Sequence, residues 1–346
     1  MSDSFRSCPD CDHGSESIDR RRFLKTTAAA AVAVTSTPLW LPAAETPAKR
    51  EPESLVKTLY DSLNEKQQKD VCFDWDYIDP QRGLLRTRVA NNWHITEPVI
   101  NSDYFTDDQH DLIRAIFEGI YNPDWHKRID QQLADDAGGW GEHQNIAIFG
   151  QPGDGKFEFV MTGRHMTIRC DGNSTEHAAW GGPVFYGHAA SDFNEPANHP
   201  GNVYWPQAVE ANKLFGMLDG KQQKQALVKQ LPREQDVGFH GTSGSLPGLP
   251  VADMSSDQKE LCQKVLLMLL DPYRKSDQDE VVACLKAQGG LDRCSLAFYQ
   301  DGDIGDDKTW DCWRLEGPSF VWYFRGSPHV HVWVNVASDP SVKTNA

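Results

Sequence analysis

The sequence lacks both a long apolar run and an excess of basic residues. A helix that spans a bilayer needs about 20 apolar residues, and the weakly apolar stretch at residues 26–41 is shorter, rich in Ala and Thr, and interrupted by Pro38. Lys and Arg number 34 against 50 Asp and Glu, for a formal net charge of −16. We therefore expect no stable membrane span after this stretch, and no nucleic acid or anionic membrane as a partner.

Cysteine is also sparse, and its spacing does not indicate a metal site. Cys8 and Cys11 have the spacing of half a zinc knuckle, but the second half is missing. The other six cysteines follow residue 70, and four of them lie between residues 262 and 312. Those four are the favoured partners if disulfides form in an oxidising compartment. Buried free thiols are the alternative.

Residues 1–44 have the layout of a cleavable export signal: a polar start, a basic patch, a short apolar segment and small residues at the end. Asp19 stands where Ser or Thr is usual, but the patch otherwise resembles a twin-arginine motif, through Arg20, Arg21, Phe23, Leu24 and Lys25. We expect the twin-arginine translocase to be a partner during export. The location expected for the protein is then periplasmic or extracellular.

Three segments recur in the same order along the chain. The matched pairs are residues 59–69 with 214–224, residues 105–109 with 254–258, and residues 157–168 with 320–332. Thr106 and Ser255 in the second pair are good helix N-caps. The third pair is aromatic and β-branched around a Gly, which is typical of a β-hairpin.

The repeat predicts an α+β fold built from two tandem, pseudo-symmetric halves, each with two helices followed by a β-hairpin. The halves are expected at about residues 53–200 and 201–337. Together they form one large domain, residues 45–340, followed by a short C-terminal tail, residues 341–346.

His329, His331 and Trp333 alternate with three valines in residues 329–334. Alternate residues of a β-strand face opposite sides, so His329, His331 and Trp333 are predicted to share one face. Two imidazoles at positions i and i+2 can bind one ion, and imidazole is a ligand of zinc, copper and iron alike. The segment therefore predicts part of a transition-metal site.

Such a site needs further ligands. His165 corresponds to His329 in the repeat, so the equivalent strand of the first half can bring it to the same ion. His188 and Glu210 are the other candidates, and Glu210 is also a candidate general base. The alternative is that these histidines only form hydrogen bonds on a polar face of the sheet.

Residues 150–156 have the glycine and lysine spacing of a phosphate-binding loop. Phe157 stands where that loop needs Ser or Thr for Mg²⁺, and a strand rather than a helix is predicted to follow. We interpret the segment as a hairpin turn.

These segments together resemble the DUF3500 family of uncharacterised bacterial proteins, over residues 53–337. The resemblance is carried by the two Gln-Gln helices, the strand at 163–167, the segment 182–187, the helix around Glu210 and the terminal His329-x-His331. Arg164 stands where the family often has a second histidine. The resemblance implies an export signal, but it assigns no activity and no catalytic residue.

Three kinds of function fit the sequence. One is an exported protein that binds zinc, copper or iron through strand histidines, and that is an enzyme if an open coordination position activates water or binds a substrate. Hydrolase and oxidoreductase chemistry both fit such a site. Another is a non-enzymatic binding protein whose cleft between the halves holds a small molecule or a saccharide. The third is a purely structural envelope protein, with neither a metal nor a pocket.

Overall fold

The computed structural model describes residues 51–153, 155–189, 199, 201–305 and 309–345. The predicted signal, residues 1–44, lies outside these residues. In the first half of the described chain the helices are α1 (Pro52–Ser62), α2 (Glu65–Val71), α3 (Asp107–Ile120) and α4 (His126–Ala137). The strands there are β1 (Cys72–Phe73), β2 (Ile78–Asp79), β3 (Gly83–Leu84), β4 (Gln144–Gly150), β5 (Phe157–Gly163), β6 (Met166–Cys170) and β7 (Val184–His188).

The second half has a similar order of elements. Its helices are α5 (Trp205–Met217), α6 (Gly220–Ala226), α7 (Ser256–Leu270) and α8 (Lys275–Ala287). Its strands are β8 (Leu227–Val228), β9 (Leu249–Pro250), β10 (Ser295–Tyr299), β11 (Cys312–Gly317), β12 (Phe320–Arg325) and β13 (Val330–Val336).

One 11-stranded mixed sheet organises the domain. Its order is β1-β4-β5-β6-β7-β13-β12-β11-β10-β8, with β9 beside β10. The short strands β1 and β8 run parallel to β4 and β10, and the other pairs are antiparallel. Among the described strands of this sheet, those of the first half therefore meet those of the second half only at the β7–β13 pair. The predicted mixture of helix and sheet in a single domain is confirmed, while the pseudo-symmetry of the halves stays a prediction.

Four helices begin with a capping box, in which an N-cap side chain and a Gln three residues later bond each other's backbone N–H groups. The predicted N-caps Thr106 and Ser255 are confirmed. The glutamines also join helices in pairs. Nε2 of Gln67 donates to Oε1 of Gln109 at 2.8 Å, and Nε2 of Gln222 donates to Oε1 of Gln258 at 3.0 Å.

The two faces of the sheet are covered differently. The helices pack on one face, where Val330, Val332 and Val334 of β13 join the main core. The opposite face carries Trp333, which packs with Phe185 of β7. That face is covered by non-helical chain, which contributes Trp75, Tyr77, Trp93, Leu231, Val237 and Phe239. The predicted alternation along β13 is confirmed, and it places His331 on the face without helices.

Several smaller features bear on the sequence predictions. Strands β4 and β5 pair from Gly150 and Phe157 onwards, so the described residues between them, 151–153 and 155–156, lie in the predicted hairpin turn. The end of the chain packs on the first half, since Asn345 pairs with Arg88 and its side chain donates to the carbonyl oxygens of Arg82 and Leu84. Within the described ranges, no helix has the length and apolar character to cross a membrane.

The described cysteines are all free thiols. The disulfides favoured among residues 262–312 are therefore absent from the described chain, and the buried-thiol alternative holds. Burial raises the pKa of Cys262 to about 12, and the pKa of Cys312 is raised to the same range for the same reason. These side chains pack as small apolar residues in the core.

Candidate metal centre

The side chains of His165, His329 and His331 meet in the interior of the domain. Their Nε2 atoms lie 3.1 Å apart between His165 and His329, 3.0 Å between His165 and His331, and 2.8 Å between His329 and His331. None of the three residues exposes more than 1% of its surface. No other group of three or more His, Cys, Asp or Glu side chains in the described chain is close enough to share an ion.

The β7–β13 pair positions His331. Residue 331 pairs with Gly187, and directly paired residues of antiparallel strands share a face. A Cβ on Gly187 would lie 3.4 Å from Cδ2 of both His165 and His331, and 2.4 Å from the carbonyl oxygen of Val330. Glycine at this position therefore leaves the space in which the two imidazoles lie.

A strained turn positions His165. It lies between the end of β5 and the start of β6 and has a φ of 52°. A left-handed conformation costs about 1–2 kcal/mol for a residue with a Cβ. The backbone N–H of His165 donates to Oδ1 of Asn92 at 3.0 Å, and Asn92 also pairs with Arg164 of the same turn. The segment around Asn92 thus holds the turn in the conformation that directs His165 inwards.

A buried carboxylate stands behind His165. Asp136, in the last turn of α4, accepts a hydrogen bond from Nδ1 of His165, and its other oxygen lies 3.1 Å from Nε of Arg164. The Asp136 side chain is fully buried. Burial alone would raise the pKa of Asp136, but the interactions with His165 and Arg164 outweigh it and hold that pKa below its usual value.

A second carboxylate stands behind His331. Oε2 of Glu234 lies 2.7 Å from Nδ1 of His331, and Oε1 lies 2.6 Å from Nη1 of Arg325. Nη2 of Arg325 is also 2.7 Å from the same Nδ1. Guanidinium nitrogens only donate, so Nδ1 cannot serve both neighbours at once. We assign the proton to Nδ1, because the carboxylate is an acceptor and makes the stronger, charge-assisted bond.

The imidazoles are neutral, and two have a defined tautomer. Burial lowers the pKa of all three histidines, and that of His329 falls to about 2. With the protons of His165 and His331 on Nδ1, their Nε2 atoms carry lone pairs that face each other. This is the tautomer that binds a metal ion.

The structure thus brings together His165, His329 and His331, as the sequence predicted. His188 is not part of the group. It pairs with Val330, so by strand alternation its side chain lies on the helical side of the sheet, opposite His331. It is fully buried there at the end of β7.

Glu210 also lies apart from the three histidines. Its carboxylate is 2.6 Å from Nζ of Lys213 and 2.8 Å from Nζ of Lys264, and these bonds lower its pKa. The ion pair with Lys264 links α5 with α7 in the helical layer. A carboxylate held by two ammonium groups is a poor general base, and the structure does not place it at the histidine group.

The sequence did not reveal the two supporting carboxylates. Asp136 lies 29 residues from His165 and Glu234 lies 97 residues from His331. Neither belongs to a motif with metal-ligand spacing, so only the fold shows that they are partners. The repeat was the useful signal, since it related His165 to His329.

These observations define the class: a mixed α/β domain with a buried three-histidine centre, in which carboxylates orient two of the imidazoles. Residues 45–336 match the model of a family described as "Protein of unknown function (DUF3500)". The chain belongs to this family, which confirms the resemblance seen in its sequence. No curated protein and no solved structure matches it.

Proposed function

We propose that the protein binds one transition-metal ion through Nε2 of His165, His329 and His331. One observation carries the proposal: three buried Nε2 atoms converge to within 3.1 Å of one another, while carboxylates hold the Nδ1 protons of His165 and His331. Histidine ligands of metals usually donate their second ring N–H to such a carboxylate, which fixes the ring and raises the basicity of the ligand.

The lone pairs of His165 and His331 face each other across 3.0 Å. A metal ion at the point where the three imidazoles converge would accept both of these lone pairs together with that of His329.

The ligand set favours zinc, copper or iron over magnesium and calcium, which prefer oxygen ligands. Nitrogens about 3 Å apart that share an ion at about 2.0–2.1 Å subtend angles of about 90–100° at the ion. The three histidines then occupy one side of the coordination sphere. Catalytic zinc sites also have three protein ligands, with water or substrate in the fourth position.

The likeness of this ligand set to that of catalytic metal sites supports a role as a metalloenzyme. A metal ion there supplies Lewis acidity and lowers the pKa of bound water. Asp136 and Glu234 keep the imidazoles oriented, and burial excludes bulk water from the centre. Water-activating and redox reactions both fit this ligand set.

We further infer that the two halves are related by an approximate two-fold axis and that the centre lies where they meet. Both halves have two helices, then short strands (three in the first half and two in the second), two more helices and then antiparallel strands. The Gln67–Gln109 pair has a counterpart in Gln222–Gln258. His165 comes from the first half, and the other two ligands come from the second.

We also infer that the protein is exported by the twin-arginine route to the periplasm or beyond. The basic patch at residues 20–25 supports this, and the family match begins at residue 45, directly after the predicted signal. Export of a folded protein agrees with a metal centre filled before translocation. Replacing Arg20 and Arg21 by Lys should leave the protein inside the cell. Unchanged export of that variant would contradict the route.

Elemental analysis tests the metal proposal. The full chain, purified without chelator or affinity metal, should contain about one equivalent of zinc, copper or iron, or take it up when offered. The double variant His329→Ala/His331→Ala should contain little of any of these metals. The matched control His143→Ala/His177→Ala removes two exposed histidines and should retain the metal. Folded protein that takes up none of the three metals would refute the proposal.

A further inference from the structure

A long irregular segment covers the side of the sheet on which His331 lies. Residues 229–248 connect β8 to β9, and in this fully described segment no residue belongs to a helix or a strand. Connections longer than about 12–15 residues without secondary structure are uncommon inside a domain, and many of them are lids or binding loops. We call residues 229–248 the flap.

Both ends of the flap are attached to the same edge of β10. Val228, directly before the flap, pairs with Tyr299, and Leu249, directly after it, pairs with Leu296. From this edge the flap crosses β11 and β12 and reaches β13, the third strand along, about 14 Å away. The ends therefore lie close together at the edge of the sheet, while the far part of the flap lies at the metal centre.

Side chains of the sheet hold the far part of the flap in place. Besides the contacts of Glu234 with the metal centre, the hydroxyl of Tyr323 on β12 donates to the carbonyl oxygen of Pro232 at 3.2 Å. Nδ2 of Asn335 on β13 donates to the carbonyl oxygen of Val237 at 3.0 Å. These attachments are single hydrogen bonds, each of which contributes about 0.5–1.5 kcal/mol.

The flap buries little of its own surface. Of residues 229–248, all of which the structure describes, only Val237 is buried. Residues 88–96, which also cover this face, contain four buried residues: Val89, Asn91, Ile95 and Thr96. Segments with few buried contacts open locally at a lower free energy than well-packed ones. Of these two covering segments, the flap is therefore the one that opens more readily.

We propose that the flap is the gate of the metal centre: it opens about its ends on β10, and the ion enters and leaves while it is open. This inference rests on the proposed metal site and adds the control of access to it. The three imidazoles expose no more than 1% of their surface, so an ion exchanges only when part of their cover moves away. Opening withdraws the Glu234 carboxylate from Nδ1 of His331 and uncovers that imidazole.

The kinetics of zinc exchange test the gate. Imidazoles bind Zn²⁺ as well as copper or iron, so zinc serves as the probe. The full chain is loaded with Zn²⁺, and its release to an excess of a chromophoric chelator is followed; uptake by the metal-free chain is followed in the same way. An opening step that gates the site limits both processes. A variant that loosens the flap should therefore speed uptake and release by the same factor and leave the dissociation constant unchanged.

Two variants loosen the flap without touching a metal ligand. Tyr323→Phe removes the hydrogen bond to Pro232, keeps the ring, and should speed both rates about two- to tenfold. Val237→Ala removes buried packing and should speed both rates at least as much. The matched controls are Tyr104→Phe, which removes a hydroxyl hydrogen bond outside the flap, and Val281→Ala, which removes buried packing in α8. Neither control should change the rates.

The outcomes separate the gate from the metal site. If zinc binds and both flap variants exchange it at the wild-type rates, the gate is wrong and the metal site stands. A larger dissociation constant with an unchanged uptake rate would also refute the gate, because the flap would then only support a ligand. If the controls speed exchange as much as the flap variants do, general destabilisation is the cause and the gate fails. A wild-type chain that takes up no zinc, copper or iron would refute both proposals.

Discussion

Asp136 accepts a hydrogen bond from Nδ1 of His165, and Nε2 of the same imidazole consequently faces His329 and His331. Glu234 has the same relationship to His331. A helix end and a loop, distant in sequence, thus determine which ring nitrogens converge. The predictions below follow from this arrangement and from the packing around it.

The Asp136→Asn variant should bind metal about 10–100 times more weakly than the wild-type protein, because a neutral amide orients His165 less firmly and lowers its basicity. Competition with a chromophoric chelator measures this affinity. Asp135→Asn is the matched control, since Asp135 is the exposed neighbour on the same helix turn. Equal affinities for the two variants would show that Asp136 does not support a metal ligand.

The Gly187→Ala variant should lose both stability and metal affinity. Its Cβ would lie 2.4 Å from the carbonyl oxygen of Val330, so the β7–β13 pair must shift, at a cost of about 1–3 kcal/mol. The free energy of unfolding, from denaturant titration, measures the loss. Gly216→Ala should have the opposite effect and raise the free energy of unfolding by about 0.5–1 kcal/mol, because Gly216 is helical and a Cβ there meets nothing within 4 Å.

The Gln109→Ala variant should reduce the free energy of unfolding by about 1–3 kcal/mol. Gln109 is buried, bonds the backbone carbonyl of Ser62 at 2.9 Å, and pairs with Gln67. If the halves are equivalent, Gln258→Ala should have a similar effect, since Gln258 bonds the carbonyl of Met217 at 2.9 Å.

Gln263→Ala is the control for this pair, because Gln263 is exposed on the same helix as Gln258. It should change the unfolding free energy little. If Gln109→Ala lowers the free energy of unfolding no more than this control does, the paired glutamines do not contribute to the packing of the helices.

Glu280 should make the protein less stable as the pH rises. Burial raises its pKa from 4.5 to about 7, with further upward contributions from Asp171 and Asp277. The folded protein therefore holds this proton more tightly than the unfolded chain between about pH 4.5 and pH 7. The contribution of Glu280 to the free energy of unfolding should therefore fall as the pH rises from about 4.5 to about 7, and it should be constant above that range.

The Glu280→Gln variant isolates this effect. Gln keeps an oxygen that can accept the hydrogen bond from the backbone N–H of Trp180 and cannot ionise. Its stability relative to the wild-type protein should rise from pH 5 to pH 8. The exposed Glu260→Gln on α7 should track the wild-type protein across the same range. A constant difference between Glu280→Gln and the wild type would contradict the shifted pKa.

Local sequence patterns predicted much of the framework. The N-cap residues identified the starts of α3 and α7. The alternation of residues along β13 correctly predicted that the valines and Trp333 lie on opposite faces of the sheet. The matched segments at residues 157–168 and 320–332 fall on the β5–β6 and β12–β13 hairpins, which is why the relation of His165 to His329 could be seen.

The positions of the other candidate and supporting residues depend on long-range packing and could not be predicted from local sequence. The face on which His188 lies follows from its register with Val330, which residues far apart in sequence determine. The pairing of Glu210 with Lys264 likewise requires α5 to lie beside α7. Asp136 and Glu234 carried no sequence signal, because a carboxylate that supports a ligand has no required spacing from it.

An anomalous difference map from a crystal of the metal-loaded protein, measured on both sides of the absorption edge of the bound metal, tests the three-histidine metal site directly. The proposed site predicts one strong peak, about 2.0–2.2 Å from Nε2 of His165, His329 and His331 together. Metal-replete crystals with no peak between these nitrogens, or with the strong peak at exposed histidines instead, would contradict it.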